Sequence, residues 1–128
     1  MAKEIIAPEN VHRARGYSHA IKVGNTIYIS GQIGMDLEGK IVEGDCGAQA
    51  HQAFGNMKRV LEAAGASMKD VVKLNYYFTN DIAEDWPKIA DAYREYFGQH
   101  YPPATAVQVR SLAHPAMLLE VEAIAVID

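Results

Sequence analysis

The segment MLLEVEAIAVID, Met117 to Asp128, constrains the fold more than any other part of the chain. In an extended strand, alternate side chains fall on opposite faces, so Leu119, Val121, Ala123, Ala125 and Ile127 make one face that is wholly apolar. Leu118, Glu120, Glu122, Ile124 and Val126 make the other, and that face carries two carboxylates. The first face belongs against a core. The second needs a neighbour that tolerates a carboxylate inside an apolar run.

The rest of the chain supplies the elements for a sheet. HAIKV and TIYISG are short β-like runs joined by Gly24-Asn25, a dipeptide suited to a tight hairpin. GMDLEGKIVEGD continues through a turn at Glu38-Gly39 into a short strand at Lys40 to Val42. Asp45 is placed to cap a helix in which Ala50, Phe54, Met57, Leu61 and Ala64 recur at spacings of four and three, and Gly65 ends it. VVKLNYYFT reads as a strand. Asp85-Trp86-Pro87 opens a second helix with an apolar stripe of Trp86, Ile89, Tyr93, Tyr96 and Phe97, closed by Gly98. Pro102-Pro103 bars its continuation, and strands follow at about Ala106 to Leu112 and Met117 to Ile127. The order β-β-β-α-β-α-β-β predicts an α+β domain, a mixed sheet with two helices on one face. Two helices of this size leave the other face bare, and a semi-apolar bare face is an association surface. Glu120 is therefore expected to face another subunit.

At 128 residues, 49% of them hydrophobic, the chain can bury a core without metals or disulfides, as one domain over residues 1–128. A net charge of -4, with no basic run beyond two residues, argues against a dedicated nucleic-acid surface. Cys46 is the only cysteine, so no internal disulfide forms and a reducing, cytoplasmic setting is expected. MAKEIIAPENVHR has no apolar signal-like region, and no stretch approaches the roughly 18 apolar residues of a membrane span.

GYSHAIKVGNTIYISGQIG and LLEVEAIAV, with the strand-helix order between them, resemble the Rid family, also called YjgF/YER057c/UK114 or endoribonuclease L-PSP-like proteins. The resemblance covers essentially the whole chain from Ala7-Pro8 onward. It implies a chorismate-mutase-like fold and a homotrimer in which the sheets form a central barrel, helices lie outside, and ligand clefts sit between subunits. Archetypal members hydrolyse reactive enamines or imines to 2-oxo acids and ammonia without metal or organic cofactor. By the resemblance Glu120 orients or activates water, Tyr17 lies over the ligand, and Ser30 and Gly31 contribute backbone groups. Thr105 and Val107 fall on the strand that completes the cleft.

Two archetypal residues are missing. The arginine of the family's P-A-R motif, a fork for the substrate carboxylate, falls on Ala104 or Thr105 in YPPATAVQV. A site asparagine on the second helix aligns with Ala90. These departures place the chain among non-archetypal members and count against 2-iminobutanoate or 2-iminopropanoate as its substrate. Arg110, Arg13 and Arg15 are the candidates for a displaced cation, and at least one is expected to border the cleft.

Each residue also has a plainer reading. Glu120 suits an interface ion pair, Tyr17 a half-buried aromatic with a satisfied hydroxyl, and Gly31 a bulge in a strand. Glu122 reads as a polar position near a strand end. The five histidines (His12, His19, His51, His100, His114) lack metal-ligand spacing, which fits surface or hydrogen-bonded core positions. Cys46, beside a helix start, has no base partner and is assigned no role. The expected function is deamination by hydrolysis of an imine or enamine, intermediates of aromatic degradation such as 2-aminomuconate being one substrate class. The alternative is a trimer that binds a small molecule without turnover; ribonuclease activity has no basic, aromatic-interleaved patch to support it.

Overall fold

The computed structural model describes residues 2–128. Six strands form one sheet: β1 (Lys3–Ile6), β2 (Ala20–Val23), β3 (Thr26–Ile33), β4 (Val71–Phe78), β5 (Ala104–Gln108) and β6 (Leu119–Val126). Their order across the sheet is β1-β2-β3-β6-β4-β5. All neighbours are antiparallel except β4 and β5, which run parallel and are joined by the second helical segment. Helix α1 spans Cys46–Ala63. The second helical segment is composite: α2 (Ile82–Asp85), a 3-10 turn at Trp86–Ile89, and α3 (Ala90–Phe97).

Both ends of α1 follow the expected chemistry. Asp45 Oδ1 accepts the amide of Ala48 at 3.1 Å, and Gly65, at φ +81°, turns the chain away after Ala64. Ala50, Phe54, Met57, Leu61 and Ala64 are all buried against the sheet. On β6 burial alternates as the sequence requires: Leu119, Val121, Ala123 and Ala125 are buried, while Glu120, Glu122 and Ile124 are partly open. The helices thus cover one sheet face. The other carries Ile5, Tyr28 and Val107 in the open, with Tyr28 53% exposed. Among the described residues no helix is long and apolar enough to cross a membrane.

The structure differs from expectation in several elements, β6 among them, which runs Leu119–Val126 and not Met117 to Ile127. β1, which the sequence did not announce, pairs with β2 at the sheet edge. The strand expected at Lys40 to Val42 is absent, leaving only an isolated bridge between Met35 and Ile41. A turn takes its place, with Gly39 N donating to Asp36 O and Lys40 N to Asp36 Oδ1. The second helix begins four residues early because Asp81, not Asp85, is the cap, its Oδ1 accepting from Ala83 N at 2.8 Å. Asp85 is buried inside, where it takes hydrogen bonds from Asn80 and Lys88. β5 starts two residues early and stops at Gln108 instead of Leu112.

Candidate functional site

The site is built on a fault in the β3–β6 ladder. Pairing runs from Thr26 with Val126 to Ile29 with Ala123, then resumes at Gln32 with Val121 and Ile33 with Glu120. Ser30 and Gly31 together oppose the single residue Glu122, which is a β-bulge. The Glu120 side chain lies over Gly31. A Cβ added there would meet Glu120 Cδ at 2.6 Å and Cγ at 2.7 Å, with Oε1 closer still. The bulge reading of Gly31 therefore holds, and the missing side chain leaves room for the Glu120 carboxylate.

Glu120 and Glu122 share a face but not an environment. Glu122 Oε1 accepts from Tyr77 Oη at 2.5 Å and from Asn75 Nδ2 at 3.1 Å. Among the described residues Glu120 has no ion-pair partner and no such donors. Burial pushes its pKa above the ordinary 4.5, and the nearby negative charge of Glu122 adds to the rise. Tyr17 is shifted upward too, first by burial and then by Glu120, so its phenol stays protonated. The result is a half-buried carboxylate held above its ordinary pKa, with a phenol close enough to feel its charge.

These groups border a cavity of about 740 Å³ that also includes His12, Arg13, Arg15, Ser30 and Gly31. Ile33, Met35, Leu37, Ala113 and Met117 supply its apolar wall. Tyr17, Ser30, Gly31 and Glu120 thus line one cavity. Arg13 and Arg15 join them; Arg110, exposed beyond β5, does not line this cavity. Thr105 pairs with Asn75 beside Glu122, and Val107 pairs with Tyr77 beside Glu120, so both share the bare face with the carboxylates. They lie two strands from β6, roughly 10 Å away at the usual strand spacing. Ala104 pairs with Leu74 in a core row, so Thr105 occupies the bare-face position where the archetypal arginine would project. Ala90 borders a different cavity, of about 360 Å³, with Trp86, Tyr93 and Tyr101.

Several residues that hold the site were not singled out in the sequence. Gln49 of α1 donates from Nε2 to Ala116 O and accepts at Oε1 from Leu118 N, both at 2.8 Å, fixing the entry to β6. Asn56 donates from Nδ2 to the carbonyls of Ile33 and Met35, fixing the exit of β3. The signal was present: two amides seven residues apart on the apolar face of α1. Ser30 Oγ donates to Ser18 O at 2.6 Å, so its hydroxyl ties the N-terminal arm to the bulge. His12 and His19 are buried, as the plainer reading of the histidines allowed. Cys46 is also buried, and burial together with Asp85 pushes its thiol up to about 12, which makes it inert. Among the described residues no three His, Cys, Asp or Glu side chains gather in a metal-binding group.

A mixed sheet covered by helices on one face, with a bulge-seated carboxylate beside a cleft, defines an α+β protein with a cavity of small-molecule size on its bulged strand pair. Comparison with known proteins carries this further. The family described as Endoribonuclease L-PSP matches residues 8–127, and the chain belongs to it. A RutC family protein of Pyrococcus abyssi is 46% identical over 127 residues, covering 98% of each chain. A 2-iminobutanoate/2-iminopropanoate deaminase of Dermatophagoides farinae is 45% identical over 113 residues, 88% of this chain and 86% of its own. The crystal structure of E. coli TdcF with bound serine superimposes with a TM-score of 0.88 at 32% identity, covering 98% of this chain and 99% of that one.

Proposed function

We propose that this protein hydrolyses a reactive imine or enamine to a carbonyl compound and ammonia, in a cleft completed between subunits of a homotrimer. The observation that carries the reading is the Glu120 carboxylate: half-buried, raised in pKa, and seated over Gly31 at the edge of a 740 Å³ cavity. Glu120 accepts a proton from water as the water oxygen bonds to the imine carbon, and the C=N π pair moves to nitrogen. The same carboxyl returns the proton to that nitrogen. The carbinolamine then collapses: Glu120 passes the hydroxyl proton to the amino nitrogen, the oxygen forms the carbonyl as the C–N bond breaks, and ammonia leaves. Each step is an addition, an elimination or a proton transfer, so neither oxidant nor cofactor enters. The protonated Tyr17 hydroxyl is a donor for developing charge.

The trimer is supported by the bare sheet face, where Ile5, Tyr28, Val107 and Val126 stand open to solvent in the single chain. The deaminase names of relatives and the serine bound to a structural neighbour fit a small amino- or imino-acid ligand. One observation favours the non-catalytic alternative: neutral Thr105 stands on the bare face where an arginine fork would be. Glu120→Gln tests the two readings. It should keep ligand binding and lower imine hydrolysis about 100-fold, the effect of losing a general base. An unchanged rate on a working substrate refutes the role of Glu120, and a wild type that binds carboxylates but accelerates no imine establishes the alternative.

A further inference from the structure

Arg13 and Arg15 have no ionic partner among the described residues, where the three ion pairs join His51 with Glu95, Lys88 with Asp85, and Arg94 with Asp91. Both border the Glu120 cavity, and no other arginine or lysine does. The arm that carries them is fastened to the site. His19 Nε2 donates to His12 O at 2.7 Å, which leaves Nδ1 as the acceptor for Gln32 Nε2 at 3.2 Å. Gln32 Nε2 also donates to Ser30 O at 3.1 Å, and Ser30 Oγ reaches Ser18 O at 2.6 Å. The backbone is thus pinned on both sides of Arg13–Tyr17 to the bulge beneath Glu120. Two unpaired guanidinium groups based there suit a carboxylate that arrives and leaves. Glu120 and Glu38, the two carboxylates of the cavity, both repel a substrate carboxylate, which leaves Arg13 and Arg15 as the cationic groups to receive it.

The volume adds a size. The single chain frames about 740 Å³ of half-open cleft, more than a four-carbon imino acid of about seven non-hydrogen atoms fills. Met35 and Met117 supply adaptable apolar wall for the difference. We propose that Arg13 and Arg15 form the carboxylate-recognition arm of the cleft, and that its substrates are imino or enamino acids with an apolar side chain larger than that of a four-carbon acid. The proposal rests on reading this cleft as the reaction site and adds the substrate class.

The test is calorimetric binding to wild type and to the Arg13→Gln, Arg15→Gln double variant. The probes are 4-methyl-2-oxopentanoate, 2-oxopropanoate and the neutral amide of the former. Wild type should bind 4-methyl-2-oxopentanoate about 10-fold more tightly than 2-oxopropanoate, through the added buried methyl groups. The double variant should lose about 10-fold for either acid, together with the salt dependence of binding, and should bind the amide as wild type does. Acid binding within about twofold of wild type in the double variant, or no acid binding by wild type, overturns the arm. Equal affinity for the two acids overturns the size class. Failure of the deaminase reading looks different: probes bind wild type and Glu120→Gln alike, with the arginine dependence intact, while no imine is turned over.

Discussion

Gly31→Ala places one methyl group where the Glu120 carboxylate lies. The new Cβ would stand 2.6 Å from Cδ and 2.7 Å from Cγ. Carbon atoms make favourable contact at about 3.5 Å or more, so the carboxyl must retreat by about 1 Å. Gly31 does not have positive φ, so alanine fits the backbone there. Overpacking costs about 1–3 kcal/mol, and the stiffer unfolded chain returns about 0.4–1 kcal/mol, leaving a net loss of about 0–2.6 kcal/mol. The crowding atom is on a flexible side chain, which favours the low end. The effect on rate is larger. A displacement of about 1 Å in a reacting group lowers rate about 100-fold, near 2.7 kcal/mol of barrier. The assay pairs thermal unfolding with hydrolysis of an imine generated in situ and followed as ammonia. A near-native melting temperature with a rate close to that of Glu120→Gln is expected. A rate within a few-fold of wild type would show that the carboxylate seat over Gly31 does not matter to the reaction.

The pH profile of hydrolysis should show its acidic limb above the ordinary glutamate value of 4.5, because Glu120 must be ionised to take a proton and its folded pKa is raised. Glu122→Gln should move that limb down without restoring 4.5, since burial, the larger cause, remains. Stability follows the opposite sign. A raised folded pKa contributes stability below the unfolded value that is lost as pH rises through the folded one, so Glu120→Gln should melt higher than wild type at pH 7. That advantage should vanish in acid; a variant that melts lower at pH 7, with loss of oligomer, would return Glu120 to an interface ion pair. Cys46, with its thiol near 12 and buried, should resist a thiol reagent in the native protein and react on unfolding. Tyr28→Glu should shift sedimentation toward monomer, and an unaltered sedimentation coefficient would remove the bare face as the subunit contact.

What the sequence disclosed was what period and chain-local chemistry control. The alternation in β6 and the stripe of α1 fell where expected because each repeats within its own element. β1 has no sequence signature because four residues at a sheet edge bury only Ile6 and carry no alternation. Lys40 to Val42 has the pattern of a strand after a turn, yet the turn folds back onto Asp36 and Gly34 and uses those amides itself. The bulge was hidden for a different reason. Its partner strand lies some ninety residues away, and a ladder fault depends on both strands. Arg13, Arg15 and Tyr17 could be named from the sequence, but that the first two line the same cavity as Glu120 follows from the His19–Gln32 ties.

Glu120 and Glu122 make the same point within one strand. Two carboxylates two residues apart must share a face, and nothing in LLEVEAIAV separates their roles. The sheet does so through their neighbours. Tyr77 pairs with Glu120 in the ladder yet sends its hydroxyl to Glu122, where Asn75 also donates. Glu122 is thereby held as a satisfied structural anion. The bulge then removes a side chain at Gly31 and lets the unsatisfied Glu120 settle into partial burial. Its lack of donors, its desolvation and the fixed charge of Glu122 all act in one direction, toward a carboxylate that readily takes a proton. On the proposed mechanism the structural acid helps to set the chemistry of Glu120, so replacing Glu122 should shift the Glu120 titration and keep turnover, while Glu120→Gln should lower turnover about 100-fold.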